Sequence, residues 1–353
     1  MVFTDRFTDI ICDFKLLRVS LEYVNIPDGE NNKMPKHGHM RHGSLQFYPR
    51  VRAKKRIPRV SWSALSKESG LLGFIGYKVG MTSAYVRDNS SSSMTKGQRI
   101  TVPVTIIEFP TMKILSVRFY NKNKVVGEVL CSNVDKELKK RIKISKEKQG
   151  DDVKRIEDFK EEYDDLRVLV YSQTKKTGIK KMPDIAEIGI VGSLDEKMSF
   201  VEENLSKEIS VSSFLKENEL VDVRGVTKGK GLQGPTKRFG LSLRFHKSEK
   251  GVRGPGSGGP WHPARVEYTQ PMAGQMGYFT RVVYNNKVIK VGSISDEDIN
   301  SDKGFKKFGK IKNDYAIVFG SVQGPSKREL LVTPALRPSK KQDQRNMEFV
   351  ELR

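Results

Sequence analysis

Cysteine is scarce in this chain. Only Cys12 and Cys131 occur in 353 residues, far apart and without CxxC spacing, which argues against a disulfide framework or a cysteine zinc site and fits a reducing cytoplasm. No apolar run approaches the roughly 20 residues that cross a bilayer, and no long basic amphipathic helix suits a membrane surface. The opening stretch MVFTDRFTDIICDFKLLRVSLEYV is broken by Asp5, Asp9, Asp13 and Lys15, which a secretory signal does not tolerate. Acidic charge is short as well: 64 Lys and Arg face 42 Asp and Glu, a formal net charge of +22. Such an excess repels itself unless a polyanion neutralises it. Nucleic acid is therefore the expected partner, rather than a membrane or a small-molecule substrate.

The positive charge is not spread evenly. From Met34 to Val60 the chain carries Lys36, Arg41, Arg50, Arg52, Lys54, Lys55, Arg56 and Arg59 with no carboxylate and no sustained apolar period. This predicts a basic arm over 34–66 that does not fold alone. It reads either as a solvated tail or, the reading we favour, as a segment ordered by phosphates, with His37, His42, Phe47, Tyr48 and Trp62 available to stack on bases. Upstream, Ile10, Phe14, Leu17 and Leu21 recur at helical spacing, predicting a short amphipathic helix within 5–24 that IPDGENNK ends. Residues 1–33 are either a separate extension or lie upstream of a true start at Met34.

The stretches LLGFIGYKVGMTSAYV, RITVPVTIIEFP and KILSVRFY are β-branched and aromatic, and Ser90–Ser93 reads as a loop. Residues 67–130 are thus expected to open a small β-barrel or sandwich. Between 131 and 218 the texture changes to the charged, helix-like NVDKELKKRIKISKEK and VKRIEDFKEEYDDL, then the strand-like LRVLVYSQT. With 18 Lys and Arg against 19 Asp and Glu, this α/β insertion is nearly neutral, so the excess charge lies elsewhere and points to a defined anionic contact surface.

Residues 219–335 are expected to complete the barrel and to carry a long basic loop over 226–280. Its segment KGKGLQGPTKRFGLSLRFHKSEKGVRGPGSGGPWHPAR has few apolar residues and much Gly, Pro and basic charge. A structureless loop of that length calls for a functional reason. Phosphate neutralisation by Lys228, Lys230, Lys237, Arg238, Arg244, Lys247, Arg253 and Arg265 supplies one, with Arg281 where strand pattern resumes. His246 and His262 are suited to hydrogen-bond or stack on RNA. Trp261 reads either as a packing anchor or as a group that stacks on or wedges into RNA. The strand-like YFTRVVYNNKVIKVG, NDYAIVFGSVQG and RELLVTPALRP follow, with a hairpin turn expected at Asn285–Asn286 and a polar tail over 336–353.

Enzyme motifs find no support. Gly229, Gly231 and Gly234 satisfy GxGxxG, but Pro235 follows at once, no apolar-periodic helix opens, and no suitable carboxylate lies about 20 residues on. There is no P-loop pattern. His37, His39 and His42 lack a Cys or carboxylate companion and sit beside Lys36 and Arg41, which opposes a dication. No nucleophile with a base and an orienting carboxylate is identifiable. The expectation is no metal, no cofactor and no catalysis.

RHGSLQFYPRVRAKKR, GFIGYKVGMT, PVTIIEFP, DVRGVTKGKGLQGPTKRFG, GPWHPARV, MAGQMGYFTRVVYNNKVIKVG and FGSVQGPSKREL occur in that order. Together, from about Met34 to Pro338, they resemble the L-three family of large-subunit ribosomal proteins in its archaeal form. The resemblance implies a mainly β fold with an α+β insertion: a translation-protein-type β-barrel whose long basic extensions thread ribosomal RNA. It also implies a loop that reaches toward the peptidyl-transferase centre with Trp261 as its finger, and a role in early subunit assembly beside neighbouring large-subunit proteins in the cytoplasm. The segment LRFHKSEKGVRGPGSG departs from the eukaryotic pattern in which a histidine is modified, so no modification is carried over to His246. An extraribosomal RNA chaperone or regulator using the same arms is the alternative.

Overall fold

The computed structural model describes residues 41–143, 152–157, 159, 162–247, 250–262 and 264–353. The helix expected within 5–24, and the arm residues Lys36, His37 and His39, lie outside them. The fold is mainly β. Its strands are β1 (Phe74–Asp88), β2 (Arg99–Phe109), β3 (Met112–Asn121), β4 (Lys124–Leu130), β5 (Asp165–Ser172) and β6 (Ile185–Gly189), then β7 (Leu220–Val226), β8 (Leu232–Gln233), β9 (Gly274–Gln275), β10 (Thr280–Gly292), β11 (Asp314–Phe319), β12 (Glu329–Pro334) and β13 (Met347–Leu352).

Six of these strands close a hydrogen-bonded circuit. β1 pairs with β2, β2 with β11, β11 with β10, β10 with β7, β7 with β12, and β12 with β1, all antiparallel. The strands on either side of the charged insertion therefore meet, as their β-branched runs predict. Closure satisfies the backbone donors and acceptors that an open edge exposes. β1 is 15 residues long and changes register at Lys78/Gly80 and Tyr85/Val86, which lets it curve and serve three partners. Phe74, Ile75, Tyr77, Ile106, Val223, Ile317 and Leu331 are buried in the core.

β3 and β4 do not join this circuit. They pair with the insertion strands in a second sheet of order β4-β3-β5-β6. The change of charge texture at residue 131 thus does not coincide with a change of sheet, because charge pattern reports the solvent face and not the pairing partner. Of the two helix-like stretches, the first shows only a 3-10 helix at Lys136–Lys140 among its described residues, and the second a single helix at Asp152–Glu157. A longer helix follows at Leu194–Asn204, started by a capping box in which Ser193 accepts from the Glu196 N–H and Glu196 accepts from the Ser193 N–H.

Two further expectations are corrected. Asn285–Asn286 is not a hairpin turn but lies inside β10, where the register shifts and Asn285 has a φ of +56°. Asn tolerates that conformation in a bulge as well as in a turn, and Asp222 accepts the Asn285 N–H at 2.9 Å. The tail is not uniformly polar either. β13 adds to β1 as an edge strand, with Met347 buried and Glu348 and Glu351 paired to Arg87 and Arg99.

A charged network ties circuit, second sheet and arm together. The Tyr77 hydroxyl donates to Asp184 at 2.6 Å and lies 2.7 Å from Ser172 Oγ. Lys180 pairs with Asp184 and sits 3.5 Å from Glu329. Glu329, 4% exposed, receives Arg56 of the arm at 3.6 Å.

Candidate nucleic-acid interface

The arm and the long loop meet at the mouth of the β7–β10 pair. Register continues beyond the two strands: the Thr227 N–H donates to the Phe279 carbonyl at 2.9 Å, Lys230 to Met276 at 3.0 Å and Met276 to Gly231 at 2.9 Å, and β8 pairs with β9. The loop stem is thus a two-stranded ribbon where the sequence showed no periodicity. Gly and basic residues carry no alternating apolar pattern, so backbone pairing alone builds it. Pro235, read as a sign against a helix, occupies the first helical position of a short helix, Pro235–Phe239, where its missing N–H costs nothing. Further out, the Arg244 N–H donates to Val252 at 3.2 Å.

The arm lies along this stem. Ser44 caps a 3-10 turn at Leu45–Phe47, and the Ala53 N–H donates to the Tyr278 carbonyl at 2.8 Å. Tyr48 meets Tyr268 edge to face, with ring centres 5.7 Å apart. The arm from Gly43 onward therefore has protein partners, which its lack of apolar period did not foretell. Trp62 is corrected from stacking candidate to core residue: it is 5% exposed and packs against Gly189. Only two tryptophans occur, and the other, Trp261, is 85% exposed.

Most predicted side chains face solvent: Arg41, Arg52, Lys54, Lys55, Arg56 and Arg59 on the arm, and Lys228, Lys230, Lys237, His246, Lys247, Arg253, His262 and Arg265 on the loop. His42 and Arg244 are half-buried. Between the arm and the second sheet runs a groove of about 500 Å³ lined by Lys55, Arg59, Arg118, Tyr120, Arg167 and Glu187, among others.

Three predicted arginines are drawn together. Arg50 lies 4.4 Å from the Phe239 ring centre and 5.2 Å from that of Tyr48, while Arg238 lies 5.2 Å from Phe239. Arg281 lies between Phe47 at 4.5 Å and Phe279 at 5.1 Å. Arg238 is aimed by donating to the carbonyls of Gln275 at 3.0 Å and Met272 at 3.1 Å. Partial burial, and then the neighbouring Arg50 charge, hold the pKa values of Arg238 and Arg281 below the usual arginine value. Phe239, Phe279, Tyr268 and Tyr278 escaped the sequence reading, although each is an aromatic within or beside a basic stretch, the pattern that cation–π pairing uses.

Among the described residues no group of three His, Cys, Asp or Glu is placed to hold a metal ion, and no helix is long and apolar enough to cross a membrane. Cys131 is buried, and burial pushes its thiol up to about 12. The arrangement offers cations, amides and aromatic faces, the set that takes phosphates and bases.

Comparison with known proteins points the same way. The family model described as Ribosomal protein L3 matches residues 33–353. The Large ribosomal subunit protein uL3 of Methanobrevibacter smithii is 41% identical over 320 residues, covering 88% of this chain and 95% of its own length. Its counterpart in Methanocaldococcus jannaschii is 41% identical over 308 residues, covering 84% and 91%, and that of Picrophilus torridus 41% over 300 residues, covering 82% and 89%.

Proposed function

We propose that this chain, which belongs to the ribosomal protein L3 family, is a structural, non-enzymatic constituent of the large ribosomal subunit in the cytoplasm. Its partners are large-subunit ribosomal RNA and neighbouring subunit proteins. The six-stranded circuit is a translation-protein-type β-barrel that docks on the subunit, and arm and loop run into the RNA. Lys36, His37, Arg41, His42 and the basic residues of 50–59 act on the arm. Lys228 to Arg265, with Arg281, act on the loop, and Trp261 reaches toward the peptidyl-transferase centre. The binding supports early assembly, when RNA helices must be brought together against their own repulsion.

One observation carries this reading: two extensions that meet at one mouth present basic side chains to solvent with few carboxylates among them. Among the described residues Arg56 is paired with Glu329, while Arg50, Arg238 and Arg281 have no carboxylate ion pair of their own. The test is binding of the full chain to a large-subunit ribosomal RNA fragment across a salt series. If about 6 to 10 phosphates are contacted, affinity falls by a factor of roughly 10³ to 10⁵ between 50 and 200 mM salt. A flat response, or native chain that never sediments with large subunits, defeats the proposal.

A further inference from the structure

Several arginines are balanced within the protein. Arg118 reaches Glu128 at 2.9 Å and Glu187 at 3.2 Å, and Arg167 reaches Asp165 at 2.9 Å and Glu187 at 3.4 Å. Arg56 has Glu329. Arg50, Arg238 and Arg281 differ: their contacts are rings and backbone carbonyls, and among the described residues none has an ion pair with a carboxylate. Crowding three like charges without a counter-ion is unfavourable, and burying part of each makes it worse. Arg50 Nε is buried and has no hydrogen-bond acceptor, an unmet donor that ordinarily finds one.

The seats of these guanidiniums are shaped for them. Arg238 passes over Gly274, where a Cβ would come within 2.9 Å of the guanidinium carbon. Arg50 passes over Gly43, whose φ is +77° and whose Cβ would collide with the Arg50 Nη2. Aromatic rings and backbone carbonyls hold these side chains in place: Arg238 through Gln275 and Met272, Arg281 through Thr280, and Arg50 between Tyr48 and Phe239. Three elements contribute: Arg50 from the arm, Arg238 from the loop-stem helix and Arg281 from β10.

We propose that Arg50, Arg238 and Arg281 act as one phosphate clamp, taking backbone phosphate oxygens of an RNA strand where arm, loop stem and β10 converge. The inference rests on the RNA-binding reading above and deepens it. Of the 22 basic and aromatic positions expected to contact RNA, these three work as a cooperative unit, whereas exposed ones such as Arg253 contribute singly. RNA supplies the counter-charge that the fold omits, and in doing so fastens arm to loop. Planar forks on phosphate give paired, charge-assisted hydrogen bonds that a point charge cannot reproduce.

The test uses the full chain, a short single-stranded RNA oligonucleotide and, separately, inorganic phosphate. Arg238→Gln is expected to weaken oligonucleotide affinity by about tenfold or more, and Arg253→Gln by about twofold to threefold. Arg238→Lys, which keeps the charge, loses most of the same affinity. The Arg50→Gln/Arg238→Gln double variant loses less than the product of the singles, because removing one cation relieves its neighbour. Gly274→Ala displaces Arg238 without touching any charge and weakens binding several-fold. Circular dichroism checks that each variant keeps its strand content.

Inorganic phosphate is compared with chloride at equal ionic strength. It raises the melting temperature of wild type and of Arg253→Gln, and that gain disappears in Arg238→Gln, since a ligand that binds only the native clamp stabilises it. General salt effects on burial act on all three alike. If Arg238→Gln and Arg253→Gln are indistinguishable in both readouts, the clamp is wrong. If wild type binds no RNA, the function proposed above fails, and the phosphate-dependent gain alone then decides the clamp.

Discussion

Arg118 and Arg167 on the second sheet, and Arg238 and Arg281 beside the loop stem, are the same side chain under opposite electrostatic conditions. All four are partly buried. For the first pair burial alone lowers the pKa, but hydrogen bonds and charge from Glu128, Asp165 and Glu187 outweigh it and the net shift is upward. For the second pair burial and Arg50 act in the same direction, and the shift is downward. The difference separates two settings of positive charge: Arg118 and Arg167 have their counter-ions within the fold, whereas for Arg238 and Arg281 the clamp proposed above assigns that part to RNA. Net charge cannot distinguish them, because it counts both alike.

Breaking the architectural side is expected to cost the most. Trp62→Ala empties a buried site next to Gly189 and should lower stability by about 3–5 kcal/mol, seen as an earlier urea midpoint, while the remaining native protein binds RNA as before. Next comes the buried network. Glu329→Ala removes a carboxylate that is 4% exposed and leaves Lys180 and Arg56 short of a partner, a loss of roughly 3 kcal/mol. Arg56→Gln should cost under roughly 1 kcal/mol, because its own side chain is 64% exposed.

Salt dependence sharpens the same contrast with a smaller effect. Lys228→Gln should reduce the slope of log affinity against log salt by roughly one unit, while Arg118→Gln leaves it unchanged. Any drop for Arg118→Gln would move the second sheet to the RNA-binding side.

A pH experiment on Glu108, in β2, probes one buried carboxyl of the circuit. Burial raises the Glu108 pKa against the hydrogen bonds that its Oε1 accepts from the Lys312 and Asn313 N–H groups and Asn313 Nδ2. A carboxyl with a folded pKa above its unfolded value binds more protons when folded. Its contribution is therefore present below the ordinary glutamate range and is lost as pH rises through the folded value. Asp88, Asp165 and Glu208, whose pKa values are lowered, act with the opposite sign in that range, so it is the difference in denaturant midpoint between wild type and Glu108→Gln that should decline modestly as pH rises through the window. Smallest of all, Trp261→Ala should change stability by no more than about 0.5 kcal/mol, in keeping with its exposure. A loss comparable to that of Trp62→Ala would make it a packing anchor.

Much of this was legible from residues alone. The β-branched runs at 74–86, 99–109 and 314–334 mark their strands because side chains buried in a sheet must be apolar and fit the pleat. The basic arm and loop were legible for the converse reason, since no core can be made from Lys, Gly and Pro. The misses have physical causes too. β13 is short and bears two glutamates whose partners, Arg87 and Arg99, lie some 250 positions earlier. Asn285–Asn286 carries a turn signature because turn and bulge place the same demand on φ. Trp62 sits in a basic neighbourhood yet points inward, and composition has no direction.

Taken alone, the order of amino acids determined the strand-forming stretches, the neutral insertion, and the segregation of excess cation into two extensions, since each follows from local side-chain chemistry. Only the tertiary structure decided that β3 and β4 leave the circuit for the insertion's sheet, that one tryptophan is core and the other exposed, and that Arg50, Arg238 and Arg281 share one place. Those are facts about distance between residues remote in the chain, and pairing and packing set such distances, not propensity.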